Sequence, residues 1–323
     1  MRSYIGRILC LSTVLLALGV TLTPVHTLLA APGITAVPVG AGPTGIVLNN
    51  FTGLAYVANS SANTMSVLDT ATNTARTTII VGGDPLSTAV KQGSSFGYVV
   101  NHDANTVAVF DTSKNNVIVT VPVGRGPSGV AENPYGVSAY ITNSSDDTVS
   151  VFNTQSRTVV GTIVVGSNPT GVTLNPNNPQ AYVANSNDNT ISVINTTTNS
   201  VIATVPVGRT PTGIAVNGTT QRAYITNSLG NSVTVVDAIA NVNVATISVG
   251  NNPTGIAVDS KTQRAYIANS DDNTISVFDT NTNTVIATVL VGSKPTGVMV
   301  NPKTKLVYVT NQNDGTVSVL PEQ

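Results

Sequence analysis

The chain has 323 residues, of which 9 % are charged, and its 14 Lys and Arg against 15 Asp and Glu leave a formal net charge of −1; an ordinary soluble domain is about 25 % charged. Without a basic run there is no electrostatic footprint for a duplex or an anionic bilayer, so nucleic acid is excluded as an expected partner. A hydrophobic share of 41 % suffices for a large core and excludes a disordered chain.

Residues 1–31 read as a signal peptide. Arg2 and Arg7 mark the start of an apolar run over 8–20, followed by Pro24 and the small residues Ala30 and Ala31. The run is shorter than the roughly 18 residues that span a bilayer, so cleavage near Ala31 is expected, with a retained anchor as the alternative. Cleavage removes Cys10, the single cysteine. The expected product is a secreted, periplasmic or cell-surface protein with no membrane span and no disulfide.

Residues 32–323 are one repeat array, expected to be a single domain. Gly40, Gly82, Gly124, Gly166, Gly208, Gly250 and Gly292 each follow a valine at 42-residue intervals, with Pro43 and its six equivalents behind them. Tyr56, Tyr98, Tyr140, Tyr182, Tyr224, Tyr266 and Tyr308 keep the same period, each opening a Tyr-(Val/Ile)-x-Asn tetrapeptide. Within the fourth copy, β-branched runs at 171–174, 181–184, 190–194 and 201–207, parted by Asn-, Pro- and Thr-rich turns, predict four short strands. No helical apolar period occurs after the first segment, which excludes helical arrays.

The two ends suggest that the array closes. Residues 34–39 repeat the fourth-strand sequence seen at 202–207, whereas the last copy stops after its third strand at 316–320. A first segment that supplies the missing strand makes an all-β, seven-bladed β-propeller with four antiparallel strands per blade. The Tyr-(Val/Ile)-(Thr/Ala)-Asn and Val-Gly-x-x-Pro-(Thr/Ser)-Gly motifs resemble the YVTN-repeat β-propellers of bacterial and archaeal surface-layer and exported proteins. That resemblance spans residues 32–323 and implies the propeller fold. Lactonases and the large subunits of amine dehydrogenases share the architecture, but no catalytic signature of either is present, so no functional residue is carried over.

The residues themselves offer little chemistry. After cleavage His102 is the only histidine, and cysteine and tryptophan are absent, which excludes multi-histidine and thiolate sites; no catalytic residue, metal or cofactor is expected. The adjacent pairs Asp146-Asp147 and Asp271-Asp272 diverge on hairpin tips and read as turn residues rather than a calcium site. The seven tetrapeptide asparagines read as turn-bonding groups.

Subtracting the repeat leaves the x-x residues of the Gly-x-x-Pro turns, expected on one face around the channel mouth. They place Asp84, Arg125, Arg209 and Lys294 there, joined by His102 and Asp103 from the second copy. These residues, except Asp103, are the expected ligand-binding set. Glu132 stands where other copies have Leu or Val, and Lys91, Arg222, Lys261, Arg264, Lys303 and Lys305 fall in loops of the opposite face. The expectation is a monomeric, non-catalytic binding or cell-surface scaffold. Its partner would be a protein, a cell-envelope component or a small anionic ligand at the channel mouth. An exported enzyme of lactonase or quinoprotein-dehydrogenase type is the alternative.

Overall fold

The computed structural model describes residues 28–29, 33–134 and 136–323. The rest of the expected signal segment and its cleavage point lie outside the described residues. Seven four-stranded antiparallel sheets follow one another along the chain, with first strands opening at Pro43, Pro85, Pro127, Pro169, Pro211, Pro253 and Pro295. The first strand of each sheet packs against the first strands of its neighbours, and that of the last sheet, Pro295–Asn301, packs against that of the first, Pro43–Asn49. The chain forms a seven-bladed β-propeller.

In the fourth blade the strands run Pro169–Leu174, Gln180–Asn185, Thr190–Asn195 and Ser200–Pro206. Each first strand begins earlier than the β-branched run, because proline lacks a donor and is tolerated at a strand start. The seventh blade is completed by Thr35–Pro38, which pairs antiparallel with the third strand, Thr35 opposite Val319 and Pro38 opposite Thr316. The expected closure is observed. Leu28–Leu29 also pairs, in parallel, with Thr288 and Val289 on the outer strand of the sixth blade. A single 3-10 turn, Ser228–Gly230, is the only helical element among the described residues.

The core lies between blades rather than within one. Leu54, Tyr56 and Ala58 of the first blade bury against Val99, Ala108 and Phe110 of the second. Across the closure, Val37, Tyr308 and Val317 meet Ala55 and Val57. The motif tyrosine lies on this seam: its ring tilts onto the next blade's Phe at 5.0 Å for Tyr56 and Phe110 and 5.3 Å for Tyr224 and Phe278. In five blades its hydroxyl also donates to a carbonyl of that next blade, Tyr56 to Thr112 at 3.1 Å and, at the ring closure, Tyr308 to Thr70 at 3.3 Å.

Small hydroxyls fasten the inner rim. Thr44 Oγ1 donates to the Leu86 carbonyl at 2.9 Å, Ser128 to that of Pro169 at 2.8 Å, and Thr296 to that of Pro43 at 3.1 Å. The inner strands approach so closely that a Cβ on Gly171 would lie 2.2 Å from the Thr212 carbonyl oxygen. Six blades accordingly use glycine there; the second accommodates Ser87, whose Oγ accepts from Val130 N of the third blade at 3.3 Å.

The motif asparagine corrects the sequence expectation. It is not a turn-bonding group: Asn59, Asn101, Asn143, Asn185, Asn227 and Asn269 are fully buried, Asn311 nearly so. In the first blade Asn59 Nδ2 donates across the hairpin to Thr64 Oγ1 at 3.1 Å and Ser66 Oγ at 2.9 Å. The sequence places Asn at a strand end, where a turn role is the default; only the depth of the strand in the blade reverses it.

Candidate functional site

The turn face is built from the Gly-x-x-Pro turns and the hairpins between second and third strands. Two carboxamide or carboxylate contacts hold it together. Within a blade, the hairpin aspartate accepts from the turn: Arg125 N to Asp146 at 2.6 Å, Ser167 N to Asp188 at 2.6 Å, Asn251 N to Asp272 at 2.7 Å and Ser293 N to Asp314 at 2.6 Å. Between blades, the next residue accepts from the following turn, Asn63 from Asp84 N at 2.9 Å and Asp147 from Asn168 N at 2.8 Å. Asp146, Asp147 and Asp272 are thus absorbed by the scaffold, as the turn-residue reading expects, and Asp271 accepts from Asn252 Nδ2 at 3.1 Å.

Among the described residues, two carboxylates on this face accept no such N–H. Asp84 and Asp103 flank the imidazole of His102, whose Nδ1 lies 3.6 Å from Asp84 Oδ2 and 3.3 Å from Asp103 Oδ1. Asp84 has φ +50°, the left-handed backbone that the equivalent Asn168 and Asn252 also adopt. Partial burial, and then the nearby Asp103 charge, push the Asp84 carboxyl above its ordinary range, against the opposing pull of His102. Asp84 and His102 have no counterpart of the same type in any other blade, and the fold brings them together with Asp103, whose equivalent in the sixth blade is Asp271.

The other expected members form no ion pair with these three among the described residues. The Arg125 guanidinium turns to the hairpin of its own blade, with Nε 2.6 Å from Asp146 Oδ1. These contacts, led by the backbone N–H of Arg125, hold the Asp146 carboxyl below its usual range. Arg209 and Lys294 are exposed and form no ion pair among the described residues. The channel cavity, about 200 Å³, is lined by the inner glycines, the Ile or Val that follows most of them, and Ser87, Thr88 and Ser128; the expected five residues are not among its lining.

At the opposite face two further departures meet. Lys91 Nζ lies 2.5 Å from Glu132 Oε1 and also donates to the Gly136 carbonyl at 2.9 Å. The Glu132 side chain is only 6 % exposed. Burial raises its pKa, and the Lys91 contact opposes that rise. Both line a cavity of about 270 Å³ between the second, third and fourth blades. The sequence names Lys91 and Glu132 separately, but their contact depends on the stagger between blades. Lys91 compensates Glu132, so this pair is self-contained. Arg222 with Asp237 and Arg264 with Asp279 are likewise paired, at 2.8 and 2.5 Å.

The sequence model of a family described as "Lactonase, 7-bladed beta-propeller" matches residues 195–323. The match covers the last three blades and not the second, which holds His102. Among solved structures the chain is similar to one titled "Kuenenia stuttgartiensis Hydrazine Synthase", with a TM-score of 0.79, 19 % identity, 94 % of this chain covered and 98 % of that chain. At that identity the likeness is one of fold. No curated protein matches the chain. No described helix is long and apolar enough to cross a membrane.

Proposed function

We propose that the chain is an exported propeller of the YVTN-repeat type, a monomeric and non-catalytic interaction scaffold of the periplasm or cell surface whose partner is a protein or cell-envelope component. The observation that carries this reading is the use made of the repeated polar side chains. Tyrosine hydroxyls, inner threonines, buried asparagines and hairpin aspartates all hold strand to strand or blade to blade. What remains for a partner is a stiff disc with two polar loop faces, so association orders little and costs little conformational entropy. On a turn face otherwise rich in carboxylates, exposed Arg209 and Lys294 are cations without an ion pair among the described residues, and they offer local contacts to an acidic group on that partner or to a small anionic ligand.

The test is binding of fluorescently labelled protein to envelope fragments of the source cells. Saturable binding, competed by unlabelled protein and weakened several-fold by Arg209→Ser with Lys294→Asn, supports the scaffold reading. Binding no greater than that of the heat-denatured protein overturns it. A lactonase-type hydrolase is the second reading, favoured by the family match over residues 195–323; its site would be His102 between Asp84 and Asp103.

A further inference from the structure

The second blade departs from the repeat where the other blades are most alike. At the position of His102 five blades carry serine, Ser60, Ser144, Ser186, Ser228 and Ser270, and the seventh carries Gln312. Asp84 and Asp103 are also unlike most of their equivalents, and neither is used as the other turn-face carboxylates are. Departures elsewhere, such as Lys91 and Glu132, compensate each other. Here two carboxylates face a single imidazole, which leaves an excess of negative charge around a nitrogen donor.

The spacing separates two explanations of the cluster. His102 Nδ1 lies within a long hydrogen bond of Asp103 Oδ1, at 3.3 Å, but its 3.6 Å separation from Asp84 Oδ2 exceeds one, so a single Nδ1–H does not account for both carboxylates. A tetrahedral ion bound by nitrogen and oxygen at about 2.0–2.2 Å holds its ligand atoms about 3.3–3.6 Å apart. The three donor atoms all lie within 4.8 Å of one another. We infer that Asp84, His102 and Asp103 form a binding site for a divalent transition-metal ion of the zinc class, in which imidazole and two carboxylates leave one coordination position open.

Two features of this chain prepare the site. Asn63 of the preceding blade fixes the Asp84 backbone through a 2.9 Å hydrogen bond. His102 N is in turn bonded to the Asp84 carbonyl at 3.0 Å, which ties hairpin to turn. On its other side, His102 faces Gly126, where a Cβ would lie 3.4 Å from Nε2. The site goes beyond the scaffold reading and stands whichever partner the ring takes, although sequence alone predicts no metal.

The test uses untagged full-length protein, titrated with zinc by calorimetry and followed through its imidazole NMR signals. The chain has two histidines, His26 and His102, and His102→Ser assigns the second. The expected result is one equivalent bound, a shift of the His102 signals on binding, and affinity at least tenfold weaker in Asp84→Asn and His102→Ser. Both substitutions introduce residues used at these positions in other blades, so the zinc-free melting temperatures should match the parent. Absence of saturable binding, binding unchanged in both variants, or unmoved His102 signals each overturns the site. None of these outcomes bears on envelope binding, so the two readings fail separately.

Discussion

The α-carbon of Gly208 lies against the carboxamide of Asn227 so closely that a Cβ there would sit 2.5 Å from Asn227 Cγ. Gly208 N and Asn227 Nδ2 both donate to Thr234 Oγ1, at 3.2 and 3.0 Å. The glycine of the turn and the asparagine of the tetrapeptide, 19 residues apart in every repeat, are thus one contact. Gly208→Ala should destabilise the protein by about 1–3 kcal/mol through overpacking, and Asn227→Ala by about 1–3 kcal/mol through the hydroxyls it leaves unpaired. Together they should cost less than their sum, because removing the carboxamide makes room for the methyl. Urea denaturation of the two single variants and the double variant measures this; strict additivity would show that the contact is incidental.

Alkaline pH acts on the seams between blades. Burial pushes Tyr56, Tyr98, Tyr140 and Tyr266 up to about 12, from an ordinary value of 10.0. The folded state therefore favours the neutral phenol. Its contribution is complete below about pH 10 and is lost as pH rises towards about 12. Tyrosinate absorbance and circular dichroism should change together in one transition within that window. Ionisation of the bulk of the tyrosines near pH 10 with the sheet signal intact would contradict the buried hydroxyl contacts.

Removal of residues 33–39 should open the ring. The deletion takes away the partner of Thr316–Pro321 and leaves an apolar third strand with a bare edge. It also removes Val37, which is 3 % exposed, from the seam between the seventh and first blades. The melting temperature should fall by several degrees, with concentration-dependent aggregation. A truncated protein that melts like the parent would mean that this strand does not close the propeller.

The architecture was legible because the repeat marks every blade at the same register, and because residues 34–39 copy an outer strand. The site was legible only in part. Comparing equivalent positions picks out Asp84 and His102, since the blades overlay residue for residue. The partner of Arg125 is not visible in this way, because Asp146 belongs to the common hairpin pattern and only the fold brings that hairpin beside the turn. The pairing of Lys91 with Glu132 is hidden for a related reason: it depends on neighbouring blades being packed about one repeat apart. The buried role of Asn227 was masked by the habit of asparagine to occupy turns.

Scaffold and hydrolase differ in one observable, the dependence of lactone turnover on His102. The measurement is hydrolysis of aliphatic γ- and δ-lactones by the purified protein, with and without added zinc, beside the His102→Ser variant. The scaffold account predicts rates equal to the buffer blank for both proteins under both conditions. Saturable turnover by the parent, lost in a folded His102→Ser variant, would contradict it and make the Asp84, His102 and Asp103 cluster an active site.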